Sequence, residues 1–192
     1  GRILFEYRDP DPGMTDWDAT VSVAASRAML VVSGSSNGSV YDAVYTDVPA
    51  ATAGQFTIRV PAAPSSTDYI LAVAAADDGA GKLAFAVADP GFPAPGSQQV
   101  GPSTIGPSPR VWSWSWPLNA LTTGQDLTIT EAMGAGAVNI HYNLVRAYLT
   151  TYAHYGRPGR PVVTWLGYGT TWSCGSCFGP WPITLFGIPF AA

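Results

Sequence analysis

Charged residues are scarce in this chain of 192 residues. They make up 11% of it, against roughly a quarter in ordinary soluble domains. Lys82 is the one lysine, and it stands with eight arginines against thirteen acidic residues, which gives a net charge of −4. Because there is no basic run or patch, nucleic acid is a poor candidate partner, and we expect none. No apolar run reaches the roughly 18 residues that cross a bilayer, so we expect no membrane insertion.

Cysteine is also scarce and occurs only in Cys174-Gly-Ser-Cys177. No second pair of this kind and no nearby histidine completes a structural zinc site. A thioredoxin-type redox pair opens a helix, whereas Phe-Gly-Pro-Trp-Pro follows Cys177 and cannot form one. A local disulfide between Cys174 and Cys177 is the favoured interpretation, with free thiols and redox or metal chemistry as alternatives. A disulfide indicates an oxidising, extracellular setting.

Strand signals recur along the chain, and helix signals do not. In residues 138–142, for example, apolar side chains alternate with Asn139 and His141, the period of a strand with one buried face. Gly, Ser, Pro and Asp fill the connections between such segments. The predicted strands are residues 3–7, 20–23, 28–32, 40–46, 55–60, 69–76, 83–88, 111–116, 126–130, 138–142, 145–152, 162–168 and 183–188.

This series of short strands predicts an all-β fold, an antiparallel two-sheet β-sandwich of the jelly-roll type. We expect a single domain that spans residues 1–192. A long Gly/Pro/Ser-rich surface loop is expected at about residues 89–110. The chain opens with Gly1-Arg2, neither an initiator methionine nor a signal peptide, so we expect a processed product or an excised domain.

Tryptophan is abundant, and three of the seven form the run Trp112-Ser-Trp114-Ser-Trp116. In a strand these indoles share one face, about 7 Å apart. This aromatic strip is a core layer, a seam against another subunit or a platform for sugar rings. The scarcity of charge favours burial, in the core or at the seam. Trp172 and Trp181, which flank the cysteine pair, are further candidate ligand-binding residues.

The order of the segments points to a family. The chain opens with Ile3-Leu4-Phe5-Glu6, an acidic Pro/Gly turn at residues 9–13 and Asp16-Trp17, and the later strands keep their order up to a last strand pair at 161–169 and 183–190. This order resembles concanavalin A-like, laminin-G-like jelly-roll domains. The resemblance implies the jelly-roll fold, which occurs in secreted glycan-binding modules, in glycosidases and lyases, and in tail or surface proteins of bacteriophages.

The residues that catalysis would need are not arranged for it. Glycosidases of this fold class carry paired carboxylates on one strand, but the only glutamates, Glu6 and Glu131, have no acidic residue two positions away. Lyases of this fold pair a polar strand with an Arg-rich one. Asn139, His141 and Asn143 form a polar face, and the Arg-rich strand is missing. We therefore predict no enzymatic activity and interpret His141 as a hydrogen-bonded or exposed strand residue or part of a binding surface, with catalysis as the remaining alternative.

Aspartates gather in two turns, residues 9–18 and residues 77–79. Oxygen ligands on turns are those that Ca²⁺ prefers, and the resemblance also implies structural calcium. The alternative is that these aspartates cap solvated turns. The candidate calcium ligands are Asp9, Asp11, Asp16, Asp77 and Asp78.

Two functions from different classes follow. The first is a non-catalytic extracellular module that binds a glycan or a cell-surface polysaccharide. The alternative is a structural subunit of a larger assembly, such as a bacteriophage tail or capsid-decorating protein or a surface filament, whose partners are neighbouring protein subunits and which forms a homo-oligomer. Both predict an extracellular or virion-surface location.

Overall fold

The computed structural model describes residues 1–8, 19–25, 29–47, 49–77, 83–89, 110–156, 162–165, 184–185 and 188–189. Over these residues the chain forms thirteen strands and one long helix, α1 (Ala135–Tyr155). Short 3₁₀ turns lie at Ala50–Thr52, Leu118–Ala120 and Glu131–Met133. The strands are β1 (Arg2–Tyr7), β2 (Val21–Ala24), β3 (Leu30–Ser35), β4 (Val40–Tyr45), β5 (Asp68–Val73), β6 (Ala75–Asp77), β7 (Leu83–Asp89), β8 (Arg110–Val111), β9 (Ser113–Pro117), β10 (Asp126–Ile129), β11 (Val162–Trp165), β12 (Thr184–Leu185) and β13 (Ile188–Pro189).

A four-stranded antiparallel sheet in the order β4-β3-β5-β9 forms the centre of the fold. Its strand β3 reads Leu-Val-Val-Ser-Gly-Ser and is buried at all six positions. Its first three residues form a short apolar run, which suits a strand that is covered on both faces. Leu30 and Val32 of β3 pair with Val73 and Leu71 of β5, which carry the same apolar character. The middle of the sheet is therefore buried on both sides.

A three-stranded sheet in the order β10-β1-β2 packs on one face of the central sheet. Ile3 and Phe5 of β1 and Leu127 and Ile129 of β10 are at most 3% exposed. Burial of a side chain of this size stabilises the fold by about 1.5–3 kcal/mol, so the shared core holds the two sheets together. The core residues on the side of the central sheet include Val31, Ile70, Ala72, Trp112 and Trp114.

Strands β1 and β10 pair in parallel. The register places Arg2 opposite Asp126 and Phe5 opposite Ile129. Because parallel strands run in the same direction, both carboxyl ends lie at one edge of the sheet and both amino ends at the other. The residues that follow Phe5 and Ile129 are consequently neighbours in space.

A third sheet joins the central one at a three-way junction. Ala74 follows β5, and Trp112 precedes β9. Here the two backbone segments separate, and Val87 of β7 lies between them. Ala74 N donates to Trp112 O, Val87 N donates to Ala74 O, and Trp112 N donates to Val87 O, each at 2.9 Å. Beyond this ring of hydrogen bonds, β7 pairs with β6 and β8, and with β11 in parallel. Trp112 is thus fixed through its backbone as well as its ring.

Helix α1 replaces two of the predicted strands. Residues 138–142 and 145–152 are helical, so those two predictions are wrong. The buried residues Ala135, Val138, His141 and Val145 recur every three or four positions, the spacing of one helix face. The helix contacts β1 and β7 and ends at Tyr155. The β-branched and aromatic residues of this segment favour strands locally, and packing against the sheets overrides that preference.

The chain is β-rich, as the sequence predicted, with mixed rather than uniformly antiparallel sheets. The pairs β1–β10 and β7–β11 are parallel. Most predicted strands are confirmed within a few residues, but segment 55–60 forms no ladder beyond an isolated bridge from Gln55 to Arg2. Of the predicted long loop, residues 90–109 lie outside the described part of the chain.

Candidate functional site

A cleft of about 420 Å³ opens where β1 ends and α1 begins. We call it the glutamate cleft, because both glutamates of the chain lie in it. The cleft combines charged, amide and phenol side chains with the backbone of the first turn of α1. Its lining residues are Glu6, Tyr7, Arg8, Glu131, Ala135, Gly136 and Asn139.

The parallel pairing of β1 with β10 assembles the cleft. Glu6 follows Phe5 on β1, and Glu131 comes two residues after Ile129, the last residue of β10. Since the carboxyl ends of the two strands share an edge, residues far apart in sequence meet there. Glu6 Oε2 accepts a hydrogen bond of 2.6 Å from the backbone nitrogen of Glu131. The carboxylate of Glu6 thereby fixes the turn that leads into α1.

Arg8 holds the side chain of Glu131. Its Nε donates to Glu131 Oε1 at 2.5 Å and its Nη2 donates to Oε2 at 2.6 Å, a two-pronged pairing that sets the orientation of both groups. The two side chains are 44% and 41% exposed. A pair so open to water contributes at most about 1 kcal/mol to stability. The pair therefore positions charge at the surface rather than holding the fold together.

The amide of Asn139 completes the polar lining on the helix side. Its Oδ1 accepts a hydrogen bond of 3.0 Å from Asn143 Nδ2, one turn later on α1. This contact leaves the amide nitrogen of Asn139 as a donor and a second lone pair of Oδ1 as an acceptor. Glu6, Arg8, Glu131 and Asn139 together offer acceptors and donors in fixed places, with a net charge of −1.

A second arginine–carboxylate pair lies at the other end of the same two strands. Arg2 Nη2 contacts Asp126 Oδ2 at 2.7 Å, and the two side chains are 43% and 40% exposed. The hydrogen bond from Arg2, with its positive charge, holds the pKa of Asp126 below its ordinary value. This pair matches the Arg8–Glu131 pair in chemistry and exposure but lies outside the glutamate cleft.

The aromatic strip belongs mainly to the core. Trp112 and Trp114 are 0% and 1% exposed, and Trp116 is partly buried against the same cluster. The first two rings stack with centroids 6.2 Å apart, close to the predicted spacing. Trp114 Nε1 donates to Met133 O at 2.6 Å. Of the three interpretations of the strip, the structure places Trp112 and Trp114 in a core layer, where they have no surface to offer a sugar.

His141 is neither on a strand nor at the surface. It lies on the buried face of α1 and is 1% exposed, so the prediction of an exposed strand residue is wrong. The reason is the helical spacing, which turns position 141 toward the sheets. Asn139 and Asn143, predicted to share a strand face with it, lie one helical turn apart.

The remaining predicted site residues fall mostly outside the described residues: Trp172, Trp181, Cys174, Cys177, Asp9, Asp11, Asp16 and Asp78. Asp77 is the last residue of β6. Within the described ranges, no group of three or more His, Cys, Asp or Glu side chains is placed to hold a metal ion. The disulfide and the calcium ligands remain predictions.

Along the sequence, Glu6 and Glu131 have no acidic neighbour on the same strand, so the pattern does not indicate a site at either. No pattern singles out Arg8, or Asn139 as a ligand-binding residue. The pairing partner of a strand is a long-range property, and parallel pairing of the first strand with β10 has no local signal. The one usable clue was position, since each glutamate stands near the end of a predicted strand.

Comparison with protein-family models, with curated proteins and with solved structures finds no match to this chain. In the residues that the structure describes, no helix is both long and apolar enough to cross a membrane.

Proposed function

We propose that this chain is a non-catalytic extracellular module that binds a glycan or cell-surface polysaccharide, and that the glutamate cleft is its binding site. The observation that carries the proposal is the composition of one cleft: two carboxylates, a guanidinium, an amide and a tyrosine lie together within about 420 Å³. Binding sites are concave and have a few polar groups in fixed positions.

Sugars suit this set of side chains. Each hydroxyl of a sugar ring both donates and accepts hydrogen bonds, so carboxylate acceptors beside guanidinium and amide donors complement a pair of neighbouring hydroxyls. Tyr7 adds an aromatic side chain with an apolar face and a polar tip, which suits the C–H face of a sugar. The Arg8–Glu131 and Asn139–Asn143 contacts orient these groups before a ligand arrives, which lowers the entropic cost of binding.

The same contacts support a binding role over hydrolysis. A glycosidase needs one carboxyl group to donate a proton and the second to attack or to activate water. Here both oxygens of Glu131 receive donors from Arg8, and Glu6 receives the backbone N–H of Glu131. In these contacts both groups accept hydrogen bonds, and neither is placed as a proton donor.

A glycan array probed with matched variants tests the proposal. Arg8→Lys and Glu131→Gln break the two-pronged pair, and we expect each to lower the affinity for the bound glycan at least tenfold. Arg2→Lys and Asp126→Asn change the equally exposed pair at the other end of the strands, and we expect them to leave binding unchanged. Glycan binding that survives Arg8→Lys and Glu131→Gln, or turnover of the bound polysaccharide, would refute the proposal. Repeating the array with EDTA tests the predicted calcium.

We also propose the finer fold assignment, a two-sheet sandwich related to the jelly rolls. It is supported by the core that the central sheet shares with the β10-β1-β2 sheet. The two parallel strand pairs and α1 are departures from a uniformly antiparallel jelly roll. The extracellular or virion-surface location belongs to the same proposal.

The second candidate function is that of a structural subunit, and the exposed tyrosines in the last turns of α1 favour it. The face that buries Val138, His141 and Val145 at 1–4% exposure continues along the helix to Tyr152 and Tyr155, which are 50% and 72% exposed. An apolar stripe that becomes exposed toward the end of a helix is typical of a contact with another chain.

Light scattering after size-exclusion chromatography tests this second function. We expect a homo-oligomer that becomes monomeric in the double variant Tyr152→Ser/Tyr155→Ser. Val21→Ser removes an apolar side chain of similar exposure, 51%, from β2 and serves as the control. A monomeric wild-type chain, or equal effects of the two changes, would argue against an assembly role for α1.

A further inference from the structure

The turn between β3 and β4 carries the sequence Asn37-Gly38-Ser39. This is the Asn-x-Ser pattern of an acceptor for N-linked glycans, with a residue other than proline in the middle. The chain has four asparagines, and Asn37 alone has a serine or threonine two residues later. Because a three-residue pattern also arises by chance, its place in the fold decides whether it can serve as an acceptor.

The hairpin holds this pattern at the surface. Residues 36–40 are all exposed. Two backbone hydrogen bonds close the turn beneath them: Ser35 N donates to Ser39 O at 2.8 Å, and Gly38 N donates to Ser35 O at 2.9 Å. No residue from 36 to 39 belongs to the buried core. A bulky, hydrated group at this tip therefore displaces no packed side chain, as an N-linked glycan requires.

The amide of Asn37 is oriented by one contact. Its Oδ1 accepts a hydrogen bond of 2.9 Å from Ser39 N, the geometry of an Asx turn. Over the described part of the chain, Asn37 Nδ2 makes no hydrogen bond. Nδ2 is the atom that receives the sugar in an N-linked glycan, and it carries two hydrogens. Replacing one of them leaves the contact of Oδ1 with Ser39 N in place.

The hydroxyl of Ser39 is the other group that the pattern requires. Ser39 uses its backbone in the turn, where its nitrogen donates to Asn37 Oδ1 and its oxygen accepts from Ser35 N. Among the residues that the structure describes, none forms a hydrogen bond with the Ser39 hydroxyl. The fold therefore does not need this hydroxyl, and its removal separates acceptor function from stability.

We propose that Asn37 is an N-glycosylation site, modified as the chain passes through a secretory compartment. The donor is an oligosaccharide linked to a polyprenyl pyrophosphate. A bond forms between Asn37 Nδ2 and the anomeric carbon of the first sugar, and the bond from that carbon to the pyrophosphate oxygen breaks. The polyprenyl pyrophosphate leaves, and one Nδ2 proton passes to a base of the transferase. The glycan adds hydrated surface to a chain in which only 11% of the residues are charged. This site rests on the extracellular location that belongs to the proposed function.

Expression of the whole chain behind a cleavable secretion signal in a eukaryotic host tests the site. We expect an N-linked glycan that peptide-N-glycosidase F removes and that mass spectrometry of peptides places on Asn37. Asn37→Gln and Ser39→Ala should each abolish it, and Ser39→Thr should keep it. Asn119 is the matched control, because it is also exposed and in a turn but has Leu121 two residues later. Asn119→Gln should leave the glycan unchanged.

A wild-type chain that carries no glycan on Asn37 would overturn the proposal, and so would a glycan that persists in Ser39→Ala. Aspartate at position 37 without a preceding glycan would show spontaneous loss of the amide and would also count against it. The glycan is read on cell-associated and secreted chain together, so a variant that folds poorly still gives a result. The glycan array uses the unglycosylated chain from bacteria, so a failure of the binding proposal is distinguished from a failure of this site.

Discussion

Replacing Trp114 by phenylalanine measures how far the aromatic strip is part of the core. The change removes the indole N–H, which donates to Met133 O at 2.6 Å, and part of the ring volume at a site that is 1% exposed. The hydrogen bond is part-buried and contributes about 1 kcal/mol. Two ring carbons lost from the core add about 1.6 kcal/mol. We expect unfolding to become easier by about 2–3 kcal/mol, a large part of the 5–15 kcal/mol typical of native proteins.

Urea denaturation followed by circular dichroism measures this loss. With a slope of about 2 kcal/mol per M, the midpoint for Trp114→Phe should fall by about 1–1.5 M. Trp116→Phe, on the same strand and face but only partly buried, should shift it by less than about 0.5 M. The reasoning fails if the two variants shift the midpoint equally, or if Trp114→Phe keeps the wild-type midpoint and loses glycan binding, as a ligand platform would.

Two further predictions concern turns and pH. Gly54 and Gly124 both have positive φ, +73° and +82°, but a Cβ at Gly54 would lie 2.7 Å from Ile3 O, whereas nothing lies within 4 Å at Gly124. In chemical denaturation, Gly124→Ala should cost about 1–2 kcal/mol, and Gly54→Ala at least about 1 kcal/mol more; equal costs would contradict the close contact. Hydrogen bonds from Ser65 N and the Tyr41 hydroxyl lower the pKa of Asp68 in the folded protein. The stability that ionised Asp68 contributes is therefore complete above the pKa of an unfolded aspartate, and it is lost as the pH falls through the lower pKa of the folded state. The melting temperature of the wild type should therefore fall below about pH 4 more steeply than that of Asp68→Asn, and parallel curves would contradict this assignment.

The strands were predictable because their signal is local. β3 begins with an apolar run of three residues, β1 has three apolar residues at its centre, and β10 alternates polar and apolar residues. Burial of one or both faces imposes these patterns directly on the sequence. The shared face of Trp112, Trp114 and Trp116 followed from the same rule and is confirmed.

The helix was missed because two periods fit the same residues. Val138, Ile140 and Tyr142 alternate with polar residues as in a strand, yet Ala135, Val138, His141 and Val145 carry the helical spacing over a longer stretch. A signal was available: no glycine or proline occurs from Ala137 to Tyr155, unlike in the turn-rich remainder of the chain. Weighting that length above the short alternation would have predicted α1.

The parallel pairing of β1 with β10 determines the glutamate cleft, and no local pattern encodes it. Arg2 pairs with Asp126 at the amino ends of these strands, and Arg8 pairs with Glu131 beyond their carboxyl ends. Each arginine lies on or directly after β1, and each carboxylate on or just after β10, so the two salt bridges fit only this register. A slip by one residue would separate both pairs and turn the apolar face of β1 away from the core. The core therefore fixes the register, and the two pairs add little stability because their side chains are 40–44% exposed to water.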